Sequence, residues 1–250
     1  MSIRIGQASL GETGGRGQQP GNQNGRELNF SNWYNGHWLG ILRFKNAQEA
    51  EKAAQACEDG VRNKNIGYDM DGRNTAYKAA ETVDFDLGRI DTPVETDCSA
   101  FMMLCAVSGG VDELKDLFRK FGNSCTTYCM MRDWPKTGHF ELLTGGKYLC
   151  SDEYLRRGDI LVSSGHTVMA LQDGAKAYQD ETRQIIVDGT MKTVHGQLVG
   201  GQNRIMLADL LAACGISTGE LVGLRQFCEA FGFEVGNNGS TAIILSLIHI

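Results

Sequence analysis

The sequence predicts an α+β fold, with helices packed on an antiparallel sheet and a smaller α+β unit behind them. Three observations predict it. Along the 250 residues the signals run glycine-rich loop, strands, helices, then strands, without the alternating strand–helix repeat that builds parallel sheets. The run "CSAFMMLCAV" (98–107) is apolar around the whole helical circumference, which marks a helix buried on all sides. The segment "GDILVSSGHTVMALQDG" (158–174) is apolar on both faces and ends in Asp-Gly, so it needs neighbouring strands to cover it.

Taken in order, residues 11–36 are rich in Gly, Gln and Asn, yet no Lys-Ser or Lys-Thr follows a glycine loop, so a phosphate cradle is not expected. Within and after this region "RELNFSNWY" and "HWLGILRFK" read as two short strands separated by an Asn-Gly turn. Both are expected in the same sheet as "DILVSSGHTVMAL", because few other strands precede the change of texture after residue 180. "NAQEAEKAAQACEDGVRN" is Ala- and Glu-rich behind an Asn cap and predicts a helix over 46–62. "RNTAYKAAETV" predicts a second helix, 98–108 a buried one, and "VDELKDLFRKFG" an amphipathic helix stopped by Gly122.

From Gln184 a hairpin ("IIVDGTMKTV") and two helices ("RIMLADLLAACGI", "ELVGLRQFCEAFGF") predict a separate small unit, the two helices resembling each other as a short repeat. The expected division is 1–182 for the main domain and 183–244 for the accessory one. The last six residues, "LSLIHI" (245–250), resemble the translated reading of a sequencing-library adapter and are set apart from the fold.

Composition narrows the function. A net charge of −6 argues against a nucleic-acid binder, which needs a basic surface to meet the phosphate backbone. No apolar stretch approaches the roughly 20 residues that cross a bilayer. The opening "MSIRIGQASLGETGG" lacks a basic segment followed by an apolar core, so no signal peptide is expected. Eight cysteines are scattered over the chain, which does not suit a disulfide scaffold. The cluster Cys125, Cys129, His139 and Cys150 fits no common zinc spacing, so no metal or other cofactor is expected.

The chemistry concentrates at "VETDCSAFMMLCAV" (94–107). Asp97, Cys98 and Ser99 open the buried helix. A helix N-terminus lowers a thiol pKa from its usual value near 8.5, which makes Cys98 a candidate nucleophile. Only one of Asp97 and Ser99 is needed as the cap. His166, at the head of the apolar strand, is the candidate partner that holds the thiolate and protonates a leaving amine.

"DCSAFMMLCAV" with "RGDILVSSGHTVMAL" resembles the active-site signature of NlpC-type cysteine peptidases, papain-like enzymes that cut the peptides of bacterial peptidoglycan. Residues 5–174 also resemble gut-phage lysins of that group, through the Gly-Gln-rich start, the Trp-Tyr strand and "IGYD". The resemblance implies Cys98 as nucleophile, His166 as general base, and Asp97 and Ser99 as binders of a stem-peptide amine. It implies a pocket role for Tyr68. Relatives place a polar third residue about twelve positions after the histidine, where this chain has Tyr178; Asp180, Glu27 and His37 stand open as the source. The segment "GELVGLRQFCEAFGFEVGNNGSTAIIL" (219–245) resembles small stalk domains first named from copper amine oxidases, without implying copper. The expected activity is therefore hydrolysis of a stem-peptide amide of peptidoglycan, with an N-acetylmuramoyl-L-alanine amidase or a non-catalytic wall-binding protein as alternatives. The expected place of action is the bacterial cell wall, reached after release from the cytoplasm.

Overall fold

In the computed structural model six short strands join in one antiparallel sheet: Arg4–Ala8 (β1), Leu28–Asn32 (β2), Gly40–Phe44 (β3), Phe140–Leu143 (β6), Ile160–Val162 (β7) and Thr167–Ala170 (β8). Their order is β2-β1-β8-β7-β3-β6. The structure describes residues 2–13, 19–179, 181–187, 189–199, 202–205, 207–215, 233–238 and 241–246. Two compact units are present, Met1–Ala177 and Tyr178–Ile250.

The early strands do lie in the sheet that carries β7 and β8. They do not pair with each other as an Asn-Gly hairpin would. β2 pairs with β1, and β3 pairs with β7 and β6. Residues 33–39 therefore cross from one side of the sheet to the other. A Cβ on Gly36 would lie 2.6 Å from the Trp38 ring, and His37 adopts a left-handed φ of 51°. That geometry belongs to a crossing loop closed by its tryptophan, not to a two-residue turn.

The helices follow the sequence closely. Ala47–Arg62 (α1) starts at Asn46, whose side chain accepts from the Gln48 amide at 2.9 Å. Thr75–Glu81 (α2), Cys98–Gly109 (α3) and Glu113–Phe121 (α4) lie where expected, and α4 ends at Gly122 with a left-handed φ of 61°. Helix α3 fills the centre of the core: Phe101, Met102, Met103 and Leu104 have no exposed surface. Each such side chain contributes about 1.5–3 kcal/mol by leaving water. Helix α1 runs against β1 closely enough that a Cβ on Gly6 would lie 2.6 Å from Cys57 Sγ. A second apolar cluster, with Ile5, Ile41, Leu161 and Val168, is separate from the one around α3.

The "RGD" segment is structural. Asp159 takes both the Nε (2.9 Å) and an Nη (2.6 Å) of Arg43 in a buried pair, which ties β7 to β3. Gly158 has φ +93°, and a Cβ there would meet the Ala50 carbonyl oxygen at 2.7 Å.

Two three-residue strands were not legible in the sequence. Ile66–Tyr68 (β4) pairs in parallel with Val94–Thr96 (β5), setting Tyr68 beside Thr96. The loop 19–27 lies over them, held by two buried carboxylates. Glu27 accepts from the amides of Gln23 (2.7 Å) and Tyr68 (2.9 Å), and Glu95 accepts from the Gly21 amide (2.9 Å). The second oxygen of Glu95 has no hydrogen-bond partner among the described residues. Burial first, and then the charges of Glu27, Asp69 and Glu12, push this carboxyl up to about 8. A folded-state pKa raised above the unfolded value means that the folded chain keeps a proton which the unfolded chain gives up. Stability contributed by this group thus declines as pH rises from about 4.5 through 8. Glu95→Gln keeps the acceptor for Gly21 and removes the ionisation. It is expected to leave the melting temperature near that of the native protein at about pH 5 and to raise it at about pH 8, where the gain in stability is a few kcal/mol at most. Equal melting shifts at both pH values, read by differential scanning calorimetry, would contradict this.

In the second unit Thr182–Val187 (β9), Thr190–Val199 (β10) and Gln202–Ile205 (β11) form an antiparallel sheet, followed by the helix Leu207–Ala213, and Phe233–Asn238 (β12) pairs with Thr241–Ser246 (β13). The second half of the expected helical repeat, and most of the stalk-like segment before β12, lie outside the described residues. Among the described residues no helix is long and apolar enough to cross a membrane.

Candidate active site

Cys98 is the first residue of α3, and the cap beneath it is Asp97, whose Oδ1 accepts from the Ala100 amide at 2.7 Å. This is the preferred N-cap geometry, and it fixes the direction in which the helix leaves β5. The thiol is 6% exposed. Its sulfur lies 4.0 Å from the Gly165 carbonyl oxygen, to which it donates, and the Thr167 amide favours its ionised form. The chain thus touches the sulfur on both sides of His166. Sixty-eight positions separate the two residues in sequence, and the packing of α3 on β8 brings them together.

His166 sits where the β7–β8 turn closes. The Ser163 hydroxyl accepts from the His166 amide (3.2 Å) and donates to its carbonyl (3.1 Å), so one side chain holds both backbone groups. The ring is held as well, by a residue that the sequence reading did not single out. His166 Nε2 lies 2.9 Å from Gln7 Oε1 on β1. The amide group of Gln7 is oriented by its own contacts: its nitrogen donates to Asn29 Oδ1 (3.1 Å) and Ser31 Oγ (3.2 Å), and its oxygen accepts from Tyr34 Oη (3.2 Å). A carboxamide oxygen only accepts, so Nε2 carries the proton and Nδ1 keeps a free lone pair.

Of the residues open as the source of this contact, Glu27 and His37 lie among the described residues, and neither makes it. Glu27 is fully buried and occupied by the loop 19–27 and by Tyr68, as described above. His37 is exposed on the crossing loop, and Asp180 lies outside the described residues. Tyr178 is buried at the start of the second unit.

Asp97 and Ser99 share a cation from within the chain. Arg73 reaches Asp97 with Nε (2.6 Å) and Nη2 (3.1 Å) and donates to Ser99 Oγ at 2.8 Å, while Ser99 donates to Asp97 Oδ1 at 3.0 Å. The same guanidinium holds the carbonyls of Ser124 (3.2 Å) and Cys125 (3.1 Å). Tyr68, half-buried on β4, feels the charge of Cys98; burial first, and then that charge, push its hydroxyl up to about 12. Tyr34 is raised by the same two causes. Both phenols therefore lie within electrostatic reach of the thiol.

Electrostatics set the resting state. Burial, followed by the negative charge of Asp97, pushes the Cys98 thiol up to about 11, against help from the Thr167 and Ser99 amides and from Arg73. Burial pushes the His166 imidazolium down from its ordinary value near 6.5. Both shifts favour the uncharged forms, thiol and imidazole.

Among the described residues no group of three or more His, Cys, Asp or Glu side chains is placed to hold a metal ion. No curated protein and no solved structure matches the chain. The model of the endolysin-like domain family matches residues 5–177, more than half of the sequence, and takes in Gln7 on β1, helix α3 with Cys98, and His166 before β8. The chain belongs to the endolysin-like domain family.

Proposed function

We propose that this protein is a peptidoglycan hydrolase that cleaves an amide of the stem peptide, with Cys98 as nucleophile, His166 as general base and Gln7 as the residue that orients the base. One observation carries this reading: a thiol at the N-terminus of a buried helix lies against the backbone on both sides of a histidine whose ring is fixed by a carboxamide. That is the nucleophile–base–orienter arrangement of acyl transfer. Membership in the endolysin-like family supports the bacterial wall as substrate.

His166 Nδ1 takes the thiol proton as sulfur attacks the amide carbonyl. The imidazolium then gives that proton to the departing amine, leaving a thioester on Cys98. Water, deprotonated by the same imidazole, attacks the thioester; the acid product leaves and the thiol regains its proton. Backbone amides at the start of α3 supply part of the oxyanion hole. Asp97, paired with Arg73, and Ser99, which accepts from it, hold the helix start in place, so a free substrate amine is not required to balance the Asp97 charge. Tyr68 forms one wall beside the thiol.

Purified sacculi test the reaction. The expected products are new amino and carboxyl ends in equal amounts, without new reducing sugar ends. Reducing ends without amino ends would contradict an amide hydrolase.

The neutral resting pair also dictates the pH profile. Activity requires His166 unprotonated, and burial lowers its pKa. The value of kcat/KM is therefore expected to rise through a single ionisation below about pH 6.5 and then stay level to about pH 8.5, well short of the thiol. A bell centred near neutrality would instead indicate a thiolate–imidazolium pair.

A further inference from the structure

A groove of about 450 Å³ begins at the turn that carries the histidine. Its floor is apolar: Met131 and Leu142 close over Gly40, where a Cβ would meet them at 3.1 and 2.8 Å. Two large apolar side chains stand exposed at its rim, Leu39 (51%) and Tyr128 (70%). Its walls are the start of the short helix Thr127–Asp133 (α5) and the pair Ser163–Ser164. Thr127 Oγ1 donates across to the Ser164 carbonyl at 3.2 Å.

Both walls are tied to the candidate catalytic residues. Ser164 is followed by Gly165, whose carbonyl touches the Cys98 sulfur, and then by His166. The chain entering α5 is held at Ser124 and Cys125 by Arg73, the partner of Asp97 beneath Cys98. At the outer end Arg132, the charged side chain among the described lining residues, pairs with Asp133, which Lys136 also meets.

We propose that this groove is the subsite for the amine-side portion of the stem peptide, an acidic peptide with small apolar side chains. The inference rests on the amide-hydrolase reading above. It names the side of the bond because the leaving amine must lie where His166 can protonate it, and the groove opens from the histidine turn. It names a peptide because the floor offers methyl-sized apolar contact and the rim a cation for a carboxylate. Among the described residues no carboxylate or carboxamide lines the groove to satisfy the adjacent hydroxyls of a sugar.

Binding tests the subsite apart from turnover. In full-length protein carrying Cys98→Ala, calorimetry would compare a sugar-free stem tetrapeptide with the peptide-free disaccharide of the glycan strand. The tetrapeptide is expected to bind, and Tyr128→Ala with Leu39→Ser is expected to weaken it about tenfold or more, with melting unchanged at these exposed positions. Unchanged tetrapeptide binding in the double variant, no tetrapeptide binding at all, or disaccharide binding that the double variant abolishes would each overturn the subsite. Cleavage of sacculi by the native protein reads the parent proposal separately, and its loss together with intact peptide binding would overturn the reaction but not the groove.

Discussion

Cys98→Ala is expected to lower hydrolysis of purified peptidoglycan by roughly 10⁴-fold or more while the protein stays folded. Nucleophile and base act as a unit, so His166→Ala should fall nearly as far and the double variant no further than either single one. The structural cost is small. Cys98 sits at the edge of the core, its thiol donates only over a long contact to the Gly165 carbonyl, and α3 keeps its cap on Asp97. Losing one sulfur there costs about 1 kcal/mol, a shift of about 2–4 °C in a chain of this size. A variant that melts normally and retains most of its activity would remove Cys98 from the mechanism.

Arg73→Ala is expected to produce the largest loss of stability of any single change near the site. The guanidinium is 11% exposed and its partner Asp97 8%. Removing it leaves a buried carboxylate without its cation and withdraws donors from Ser99, Ser124 and Cys125 at once. Breaking such a pair costs about 3–5 kcal/mol, or roughly 6–20 °C in melting temperature. Asp97→Asn in the same chain should recover part of the loss, because the orphaned charge is gone while the carboxamide oxygen still caps Ala100. Lysine should rescue poorly, since one ammonium cannot span the five groups that the planar fork reaches, Asp97, Ser99, Asn123, Ser124 and Cys125. Calorimetric melting of the three variants checks this, with Arg119→Ala on the surface as reference; a drop no larger than the reference would contradict the role given to Arg73. Activity should fall too, because Arg73 is one of the charges that favour the Cys98 thiolate.

The parts of the site written in local sequence were legible, and those created by strand pairing were not. Helix α3 announces itself through a polar triplet before an apolar run, and the histidine strand through an apolar ribbon behind a Gly-Asp turn. Gln7 carries no such mark. It lies 159 positions from His166, and only the antiparallel pairing of β1 with β8 brings it to the ring. Strand β1 itself was obscured by Gly6 and Gln7, which interrupt its apolar pattern for reasons outside the strand: α1 needs the space above Gly6, and His166 needs the carboxamide. A polar residue that becomes buried in an otherwise apolar N-terminal stretch is the signal that was present. Asp97 and Ser99 illustrate a different gap. Their types were informative, but their partner, Arg73, is supplied by the turn before α2, which no spacing rule connects to them. The Asn35-Gly36 pair suggested a hairpin because dipeptide preference is local, whereas β1, β8 and β7 separate the two strands it joins.

The most direct test of the central claim uses stem tetrapeptides in which each amide in turn is replaced by a vinyl sulfone, a group that is captured irreversibly by an attacking thiol. Cys129, Cys150 and Cys214 are all more exposed than Cys98, so non-specific alkylation would strike them first. Peptide-mapping mass spectrometry is expected to find one equivalent of label on Cys98 from one member of the set, with activity lost in proportion and both effects prevented by free muropeptide. Labelling of another cysteine in step with the loss of activity, or full labelling of Cys98 with activity intact, would contradict the account.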